Sequence, residues 1–207
     1  MGTTTPKQFL DLCGKPVILH TLEAFFQFDN DINIILVLPE NQFAKWQEIC
    51  IKYNVTINHS LVPGGETRFQ SVFNGLQKLK GNGIVFIHDG VRPLVAQQTL
   101  KNCFVMAQKN GNAIPVLPVT ESVRMEENKK THAVDRSKLF LVQTPQTFRI
   151  STIKEAYNQI NTNNFTDDAT VLEQSGEIIR MVDGNRENIK ITYPADLLFA
   201  KAILTHR

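Results

Sequence analysis

The chain has 207 residues with 22 basic and 20 acidic side chains, so its formal net charge is only +2. This length suits one α/β domain, and the near balance of charge excludes a polybasic coat for nucleic acid. Hydrophobic residues make up 42% of the sequence, which excludes a disordered chain. No apolar run approaches the ~20 residues that span a membrane.

The N-terminus and the cysteines indicate the cellular compartment. The first seven residues lack the apolar core of a secretory signal. The cysteines Cys13, Cys50 and Cys103 are odd in number and far apart, which favours buried thiols over a disulfide framework or a zinc site. We therefore expect a soluble, cytoplasmic protein that binds neither nucleic acid nor a membrane.

The first half of the chain alternates amphipathic helices with short apolar strands. Pro16 suits the first position of a helix because its missing N–H costs nothing there. The predicted helices are 16–26, 40–53, 67–80 and 97–109, and the predicted strands are 33–39, 55–62 and 83–89. This alternation predicts an α/β fold with a Rossmann-like, doubly wound, mainly parallel sheet.

The pattern changes at about residue 114, where a β-arm subregion extends to 138. Segments 121–126 and 130–134 flank a polar turn, which predicts a β-hairpin. A polar two-stranded arm is marginally stable alone, so we expect it to protrude and to pack on a second subunit. The remaining predicted elements are strands at 139–143, 178–182 and 188–192, and helices at 151–160, from about Asp167 and from Pro194. No linker divides the chain, which favours a single domain over residues 1–207.

The loops 63–68 and 88–93 follow predicted strands, at the position where ligands of such sheets bind. The candidate charged residues are Lys7, Arg68, Asp89, Arg92 and Lys190. Taken singly, each basic residue fits a solvated surface charge. The glycine pair at 64–65 fits an ordinary turn, and Asp89 fits a turn or a helix cap. Spacing alone therefore gives a weak case for anion binding.

Both loops belong to a set of seven short stretches that lie in order along the chain: Pro6-Lys7-Gln8-Phe9-Leu10, Gly64-Gly65-Glu66-Thr67-Arg68 with Ser71-Val72, His88-Asp89-Gly90-Val91-Arg92-Pro93, Val134-Asp135-Arg136, Gln143-Thr144-Pro145-Gln146, Thr166-Asp167-Asp168-Ala169 and Glu187-Asn188-Ile189-Lys190-Ile191-Thr192. Each stretch is weak alone. Together they resemble the methylerythritol phosphate cytidylyltransferase family, whose members have the nucleotide-diphospho-sugar transferase-like fold. The resemblance covers nearly the whole chain.

The resemblance implies a homodimeric, Mg²⁺-dependent nucleotidyltransferase of the non-mevalonate isoprenoid pathway. Such an enzyme transfers a cytidylyl group from CTP to 2-C-methyl-D-erythritol 4-phosphate and releases pyrophosphate. The attacking phosphate oxygen is mostly ionised at neutral pH, because the second pKa of a phosphomonoester is about 6, so no general base is needed. The main obstacle is repulsion between two polyanions, which fixed cations and a divalent metal offset.

The resemblance also implies residue roles. Lys7 is expected to hold the CTP phosphates and to stabilise the transition state, and Lys190 to position the substrate phosphate. Arg136 is expected to reach the substrate phosphate of the neighbouring subunit from the arm. The further expected contacts are Ser122 and Thr144 near the substrate, Gly65, Glu66 and Ser71 at the cytosine, Asp89 at the ribose, the substrate and magnesium, and Gly90 through its backbone N–H.

Several residues favour a structural interpretation or depart from the family pattern. Arg92 and His88 are expected to be structural, and Thr166-Asp167-Asp168 suits a helix N-terminus or a support for the site. Glu66 replaces a common aspartate, and Ser122 stands where family members often have threonine. The departure at 122 is mild because a hydroxyl is retained, whereas the longer side chain at 66 is expected to alter the contacts with the base.

The larger departure is at the N-terminus. Family members begin with an apolar strand and a Gly-rich loop that ends in an arginine, and roughly fifteen such residues have no counterpart here. Without that central strand we expect unpaired backbone groups, each costing ~1–3 kcal/mol, and an exposed apolar slot. The preferred interpretation is that Met1 is an internal methionine of a longer protein, and the alternative is a defective chain.

Two other functions stay open at this point. A related ribitol 5-phosphate cytidylyltransferase shares the Pro-Lys-Gln, His-Asp and Asn-Ile-Lys motifs. The stretches at 134–139 and 166–169 are more similar to the methylerythritol enzyme. A non-catalytic, dimeric nucleotide-binding module also fits if the N-terminal loop is truly absent.

Overall fold

The computed structural model describes residues 5–160 and 165–206. The helices in these ranges are α1 (Val17–Phe28), α2 (Phe43–Lys52), α3 (Arg68–Lys78), α4 (Gln97–Asn110), α5 (Ile150–Gln159), α6 (Asp168–Gln174) and α7 (Pro194–Thr205). The strands are β1 (Asp11–Leu12), β2 (Lys15–Pro16), β3 (Ile34–Leu38), β4 (His59–Pro63), β5 (Ile84–Ile87), β6 (Asn112–Pro118), β7 (Val123–Glu127), β8 (Lys130–Val134), β9 (Phe140–Val142), β10 (Gln146–Arg149) and β11 (Met181–Asp183). Short 3-10 turns cover Lys7–Phe9, Glu40–Gln42 and Arg136–Lys138.

Local signals explain where three helices begin or end. The Thr67 hydroxyl accepts the Gln70 N–H at 3.1 Å and caps α3. Helix α4 ends before Gly111, whose φ of +94° suits glycine. At α7, Pro194 takes the first position, and the Asp196 carboxylate accepts the Tyr193 N–H at 2.6 Å. These helices lie close to their predicted positions.

The strands form a mixed sheet rather than a mainly parallel one. In the five-stranded sheet, β5 pairs with β10, and β6 pairs with β9, β10 and β11. Strands β6 and β11 are parallel, as are β3 and β4 in a separate pair, whereas β9 and β10 are antiparallel to their neighbours. The α/β, Rossmann-like architecture is confirmed. The antiparallel strands arise where the chain returns from the hairpin along β6.

Helices cover both faces of this sheet, as the side chains of β5 show. Val85 and Ile87 pack on the core cluster formed by α3, α5 and α6. Ile84 and Phe86 face the opposite way and pack on clusters that contain residues of α1 and α4. Successive strand residues point to opposite faces, so β5 is covered on both sides. None of the described helices is long and apolar enough to cross a membrane.

Three predicted strands differ from the structure, and one of them, predicted at 178–182, forms only at Met181–Asp183. Residues 188–192 form no strand: Ile191 is fully buried, but its N–H donates to Val91 O at 2.9 Å without a ladder of further bonds. The strand predicted at 55–62 begins only at His59, because the Val55 N–H donates to Cys50 O at 2.9 Å and completes the end of α2. Apolar alternation identified buried positions here but not their backbone partners.

The hairpin predicted within 114–138 is present. Strands β7 and β8 are antiparallel from Val123↔Val134 to Glu127↔Lys130. Asn128 and Lys129 have φ values of +50° and +63°, as a two-residue hairpin turn requires. Most residues of both strands are exposed. The hairpin therefore has the form expected of an interaction arm, and dimerisation through it stays a prediction.

A cavity of about 680 Å³ separates β3 from β5, which do not pair with each other. Both strands line it along their whole length, and Ile18, Phe25 and Leu76 add apolar side chains from α1 and α3. The residues of β5 are only partly buried.

Candidate active site

Polar residues line part of the same cavity. They include Gln8, Arg68, Ser71, His88, Asp89 and Lys190, together with Gly90. These residues come from four separate stretches of the chain, and two of those stretches follow the carboxyl ends of β4 and β5. The structure thus brings Ser71, Asp89, Gly90 and Lys190 together, as the sequence predicts.

Asp89 lies between two cations. Its Oδ2 is 3.1 Å from Lys190 Nζ and 3.2 Å from Arg92 Nε. Burial alone would raise the pKa of Asp89, but the Lys190 ammonium and the Arg92 guanidinium outweigh it and hold that pKa below its ordinary value. Asp89 is therefore ionised at neutral pH. The Lys190 side chain remains 49% exposed, so its ammonium is accessible to an anionic ligand.

Lys190 is positioned by hydrogen bonds of its neighbours rather than by a strand. Arg92 Nη1 donates to Asn188 O at 2.7 Å, in addition to its contact with Asp89. The Asn188 side chain is fully buried, and its Nδ2 donates to Thr144 O at 2.8 Å. Arg92 therefore joins the Asp89 loop to the segment that carries Lys190, which is the structural role expected of it.

Thr144 lies directly beneath the Asp89 loop. Its hydroxyl accepts the Asp89 N–H at 3.1 Å and donates to His88 Nδ1 at 3.1 Å. His88 Nε2 in turn donates to Arg92 O at 3.0 Å, which fixes the neutral imidazole with its proton on Nε2. Thr144 is only 6% exposed, so in this chain its hydroxyl holds the backbone of Asp89 in place.

The buried imidazole predicts a pH dependence of stability. Burial lowers the pKa of His88 from 6.5 to about 4. Because the unfolded chain binds the proton more readily, the free energy of unfolding should fall as the pH drops from 6.5 towards 4, by at most about 3 kcal/mol. Urea denaturation at pH 7 and at pH 4.5 measures this difference. His88→Gln should show a smaller difference, and an equal one in both proteins would contradict the assignment.

The loop at 64–67 is held by Ser71 and Gln70. Ser71 Oγ accepts the Gly65 N–H at 3.0 Å and donates to Thr67 O at 2.9 Å. A Cβ at Gly65 would lie 2.3 Å from Gln70 Cγ, so a side chain there would displace Gln70. Glu66 is exposed, and its N–H donates to Gln70 Oε1 at 3.2 Å. The loop is compact, and the Glu66 carboxylate is free to face a ligand.

Lys7 lies beside the cavity rather than in its wall. It begins the 3-10 turn Lys7–Phe9 and is exposed, whereas Phe9 anchors the turn in the core. Its neighbour Gln8 lines the cavity and donates to Gln42 Oε1 at 2.5 Å. Contact of the Lys7 ammonium with a ligand in the cavity stays a prediction.

Arg136 and Ser122 are not brought to the cavity within one chain. Both are exposed, at or beside the arm, and neither is among the residues that line the cavity. Arg136 Nη1 donates to Thr120 O. A role for these two residues at the site therefore depends on a second copy of the chain.

Asp89 is the candidate metal ligand. The described ranges contain no group of three or more His, Cys, Asp or Glu side chains that could form a dedicated metal cage. Mg²⁺ at phosphoryl-transfer sites is commonly held by one or two carboxylates together with substrate phosphates. A single ionised Asp89 at a cation-lined cavity fits that mode of binding.

The ion pair between Arg68 and Asp168 is a contact of the site that the sequence did not predict. Arg68 Nη2 lies 2.6 Å from Asp168 Oδ2. The residues are far apart in the sequence, and no local pattern links them. The available signals were a basic residue after the glycine loop and two adjacent acids at a helix N-terminus.

The fold and the cavity define a class first: a Rossmann-like α/β protein with a cavity beyond the ends of β4 and β5, where such sheets bind ligands, lined by Ser71, Asp89 and Lys190. A family model for "IspD: 2-C-methyl-D-erythritol 4-phosphate cytidylyltransferase" matches residues 1–206. The chain belongs to this family.

Individual relatives are similar over nearly their whole length. The 2-C-methyl-D-erythritol 4-phosphate cytidylyltransferase of Phocaeicola vulgatus is 48% identical over 204 residues, which cover 99% of this chain and 93% of that protein. The protein of the same name from Bacteroides fragilis is 50% identical with the same coverage. A crystal structure of 4-diphosphocytidyl-2C-methyl-D-erythritol synthase from Anaerococcus prevotii has a TM-score of 0.86 at 27% identity, covering 96% of this chain and 93% of that one.

Proposed function

We propose that this chain is a nucleotidyltransferase that converts CTP and 2-C-methyl-D-erythritol 4-phosphate to 4-diphosphocytidyl-2-C-methyl-D-erythritol and pyrophosphate. The observation that carries the proposal is the Lys190–Asp89–Arg92 cluster, because Lys190 and Asp89 line one cavity with Ser71, the α3 residue that holds the glycine loop. The family membership and the names of the relatives at about half identity give the substrates.

In the proposed reaction, an oxygen of the methylerythritol phosphate attacks the α-phosphorus of CTP. A new P–O bond forms, the bond to the β-phosphate breaks, and pyrophosphate leaves with the electron pair. The nucleophile is already mostly ionised, since its second pKa is about 6, so the protein does not need to remove a proton. The task of the side chains is to hold two anions together and to stabilise the charge that develops.

Each candidate residue has a role in that task. Lys190 holds the attacking phosphate next to Asp89, and Lys7 holds the triphosphate. Gly65, Glu66 and Ser71 bind the cytosine, and Asp89 with the Gly90 N–H binds near the ribose. Mg²⁺, held by Asp89 and the nucleotide phosphates, would supply further positive charge at the triphosphate.

The proposal includes a homodimer built on the arm. Phe140, Leu141 and Val142 of β9 are 42%, 57% and 42% exposed, and β9 extends the sheet beside the residues that lead out of the hairpin. A row of three exposed apolar residues next to a polar arm suits burial against a second copy. In that arrangement Arg136 and Ser122 contribute to substrate binding, with Arg136 acting on the neighbouring subunit, and Thr144 contributes by holding Asp89 in place.

We also infer a reducing, cytoplasmic location. Cys13, Cys50 and Cys103 form no disulfide in the described ranges. Burial raises the pKa of the Cys103 thiol to about 12, so this thiol is unreactive at neutral pH.

The direct test is a pyrophosphate-release assay with the full chain, CTP and Mg²⁺. We expect release that depends on both CTP and 2-C-methyl-D-erythritol 4-phosphate. Ribitol 5-phosphate serves as the matched control, and we expect it to be the poorer substrate. Faster turnover of ribitol 5-phosphate would contradict the proposed specificity. Tight CTP binding in calorimetry, with no turnover of either substrate, would instead identify a nucleotide-binding module.

A further inference from the structure

The ion pair between Arg68 and Asp168 joins the nucleotide loop to a buried anchor. Arg68 is the first residue of α3, and its Nη1 and Nη2 lie 2.9 and 2.6 Å from Oδ1 and Oδ2 of Asp168, the first residue of α6. The Asp168 side chain is fully buried, whereas Arg68 is partly exposed in the cavity. A bidentate pair of this kind is among the strongest hydrogen-bonded contacts in proteins. It neutralises Arg68, which is thereby a poor free ligand for phosphate.

Besides Arg68, two neighbours hold Asp168. The Tyr157 hydroxyl donates to Oδ1 at 2.6 Å. The fully buried Gln146 side chain accepts the N–H groups of Asp168 and Ala169, both at 2.8 Å, and donates to Asp167 Oδ2 at 2.8 Å. Burial, together with the Asp168 charge, raises the pKa of Tyr157, so its hydroxyl remains a donor. The carboxylate of Asp168 is therefore a fixed point in the core.

The contact with Asp168 holds the first turn of α3 against α6. Arg68 follows Thr67, whose side chain caps α3. Phe69, the next residue, stacks on Tyr157 with a centroid distance of 4.5 Å. The Gly65 N–H donates to Ser71 Oγ, which lies one turn further along the same helix. The loop at 64–67 therefore moves with the first turn of α3, and that turn is docked on α5 and α6.

We propose that Asp168, acting through Arg68, is a positioning residue for the loop at 64–67 that binds the nucleotide base. The inference rests on the proposed cytidylyltransferase function. When the pair is weakened, the first turn of α3 shifts, and Gly65 and Ser71 lose their alignment with the base. Lys190 and Asp89 lie on other loops with their own hydrogen bonds and keep their geometry. The predicted signature is weaker CTP binding with a nearly unchanged kcat.

Two conservative variants test this signature. Arg68→Lys keeps the charge but loses the bidentate geometry, and Asp168→Asn keeps the shape but loses the charge. Each should raise the KM for CTP, and the calorimetric Kd for CTP, by about tenfold. The kcat and the KM for methylerythritol phosphate should stay within about twofold. The double variant should bind CTP no more weakly than the worse single variant, because both remove the same contact.

A packing variant supplies the matched control. Ile153 is fully buried in the core cluster that also contains Phe69 and Tyr157. Ile153→Ala should lower the unfolding midpoint and leave the KM for CTP unchanged. If Asp168→Asn does not fold, Tyr157→Phe replaces it: loss of one hydrogen bond to Oδ1 should raise the Kd for CTP by about threefold.

Three results would overturn the positioning role. They are an unchanged Kd for CTP in the folded variants, an equal rise in KM for both substrates, and an Arg68→Lys effect without an effect of Asp168→Asn or Tyr157→Phe. The last would show Arg68 to be a direct ligand. If no protein turns over methylerythritol phosphate but the Kd for CTP still shifts as expected, the proposed function fails and the positioning role stands.

Discussion

Lys190→Met should lower kcat/KM for methylerythritol phosphate by about 100- to 1000-fold, the range seen when one donor to a developing charge is removed. The ammonium is the half-exposed cation at Asp89, 3.1 Å from its Oδ2, and it offsets the repulsion between the attacking phosphate and CTP. Without it, Asp89 keeps Arg92 as a partner, so the protein should remain folded. Steady-state kinetics with pyrophosphate detection measures the loss.

Lys201→Met is the control for this variant. Lys201 is an exposed lysine of α7, so its loss makes the same change in net charge away from the cavity. We expect wild-type kinetics for Lys201→Met and similar thermal midpoints for both variants. If Lys190→Met lowers kcat/KM by less than about tenfold, Lys190 does not act at the reacting centre.

The sequence predicted the parts of the fold that depend on local chemistry. Helix α3 begins at a threonine cap, α7 begins at a proline, and α4 ends at a left-handed glycine. The hairpin follows from two polar strands around a short turn. The prediction of a strand at 188–192 was wrong. Ile189 and Ile191 alternate with polar residues as in a strand, but Ile191 is buried beside Val91 with only one backbone hydrogen bond between them. Periodicity reports burial, and strand pairing depends on a partner distant in the chain.

In the candidate site too, the sequence predicted the local stretches but not the contacts between distant parts of the chain. The stretches that contain Ser71, Asp89 and Lys190 were identified one by one, and the structure places all three at one cavity. The contacts between them could not be predicted, because Arg92 reaches Asn188 and Arg68 reaches Asp168 across the fold. From the sequence alone, a long flexible side chain has many possible hydrogen-bond partners, and only the packed structure shows which one it contacts. For Arg136 and Ser122, the partner that we propose is a second chain.

Mixing Lys7→Ala with Arg136→Ala should restore activity that neither variant has alone. Each variant should lose about 100-fold or more, since each removes a cation from the charge that develops. If Arg136 acts on the neighbouring subunit, a hybrid dimer contains one site with both residues intact and one site with neither. Random exchange makes half of the dimers hybrids, so about a quarter of the wild-type activity should return. Native mass spectrometry of differently tagged subunits measures the hybrid fraction.

Mixing Lys7→Ala with Lys190→Met is the matched control. Lys190 lines the cavity of its own chain and Lys7 lies beside that cavity, so every site in such a hybrid lacks one of the two lysines, and no activity should return. Recovery in the first mixture alone places Arg136 in the site of the partner. Hybrids that form in the first mixture but stay inactive would show that Arg136 acts within its own chain or not at all. A monomer at assay concentrations would exclude the shared site, because the arm then leaves Arg136 in solvent, apart from its contact with Thr120.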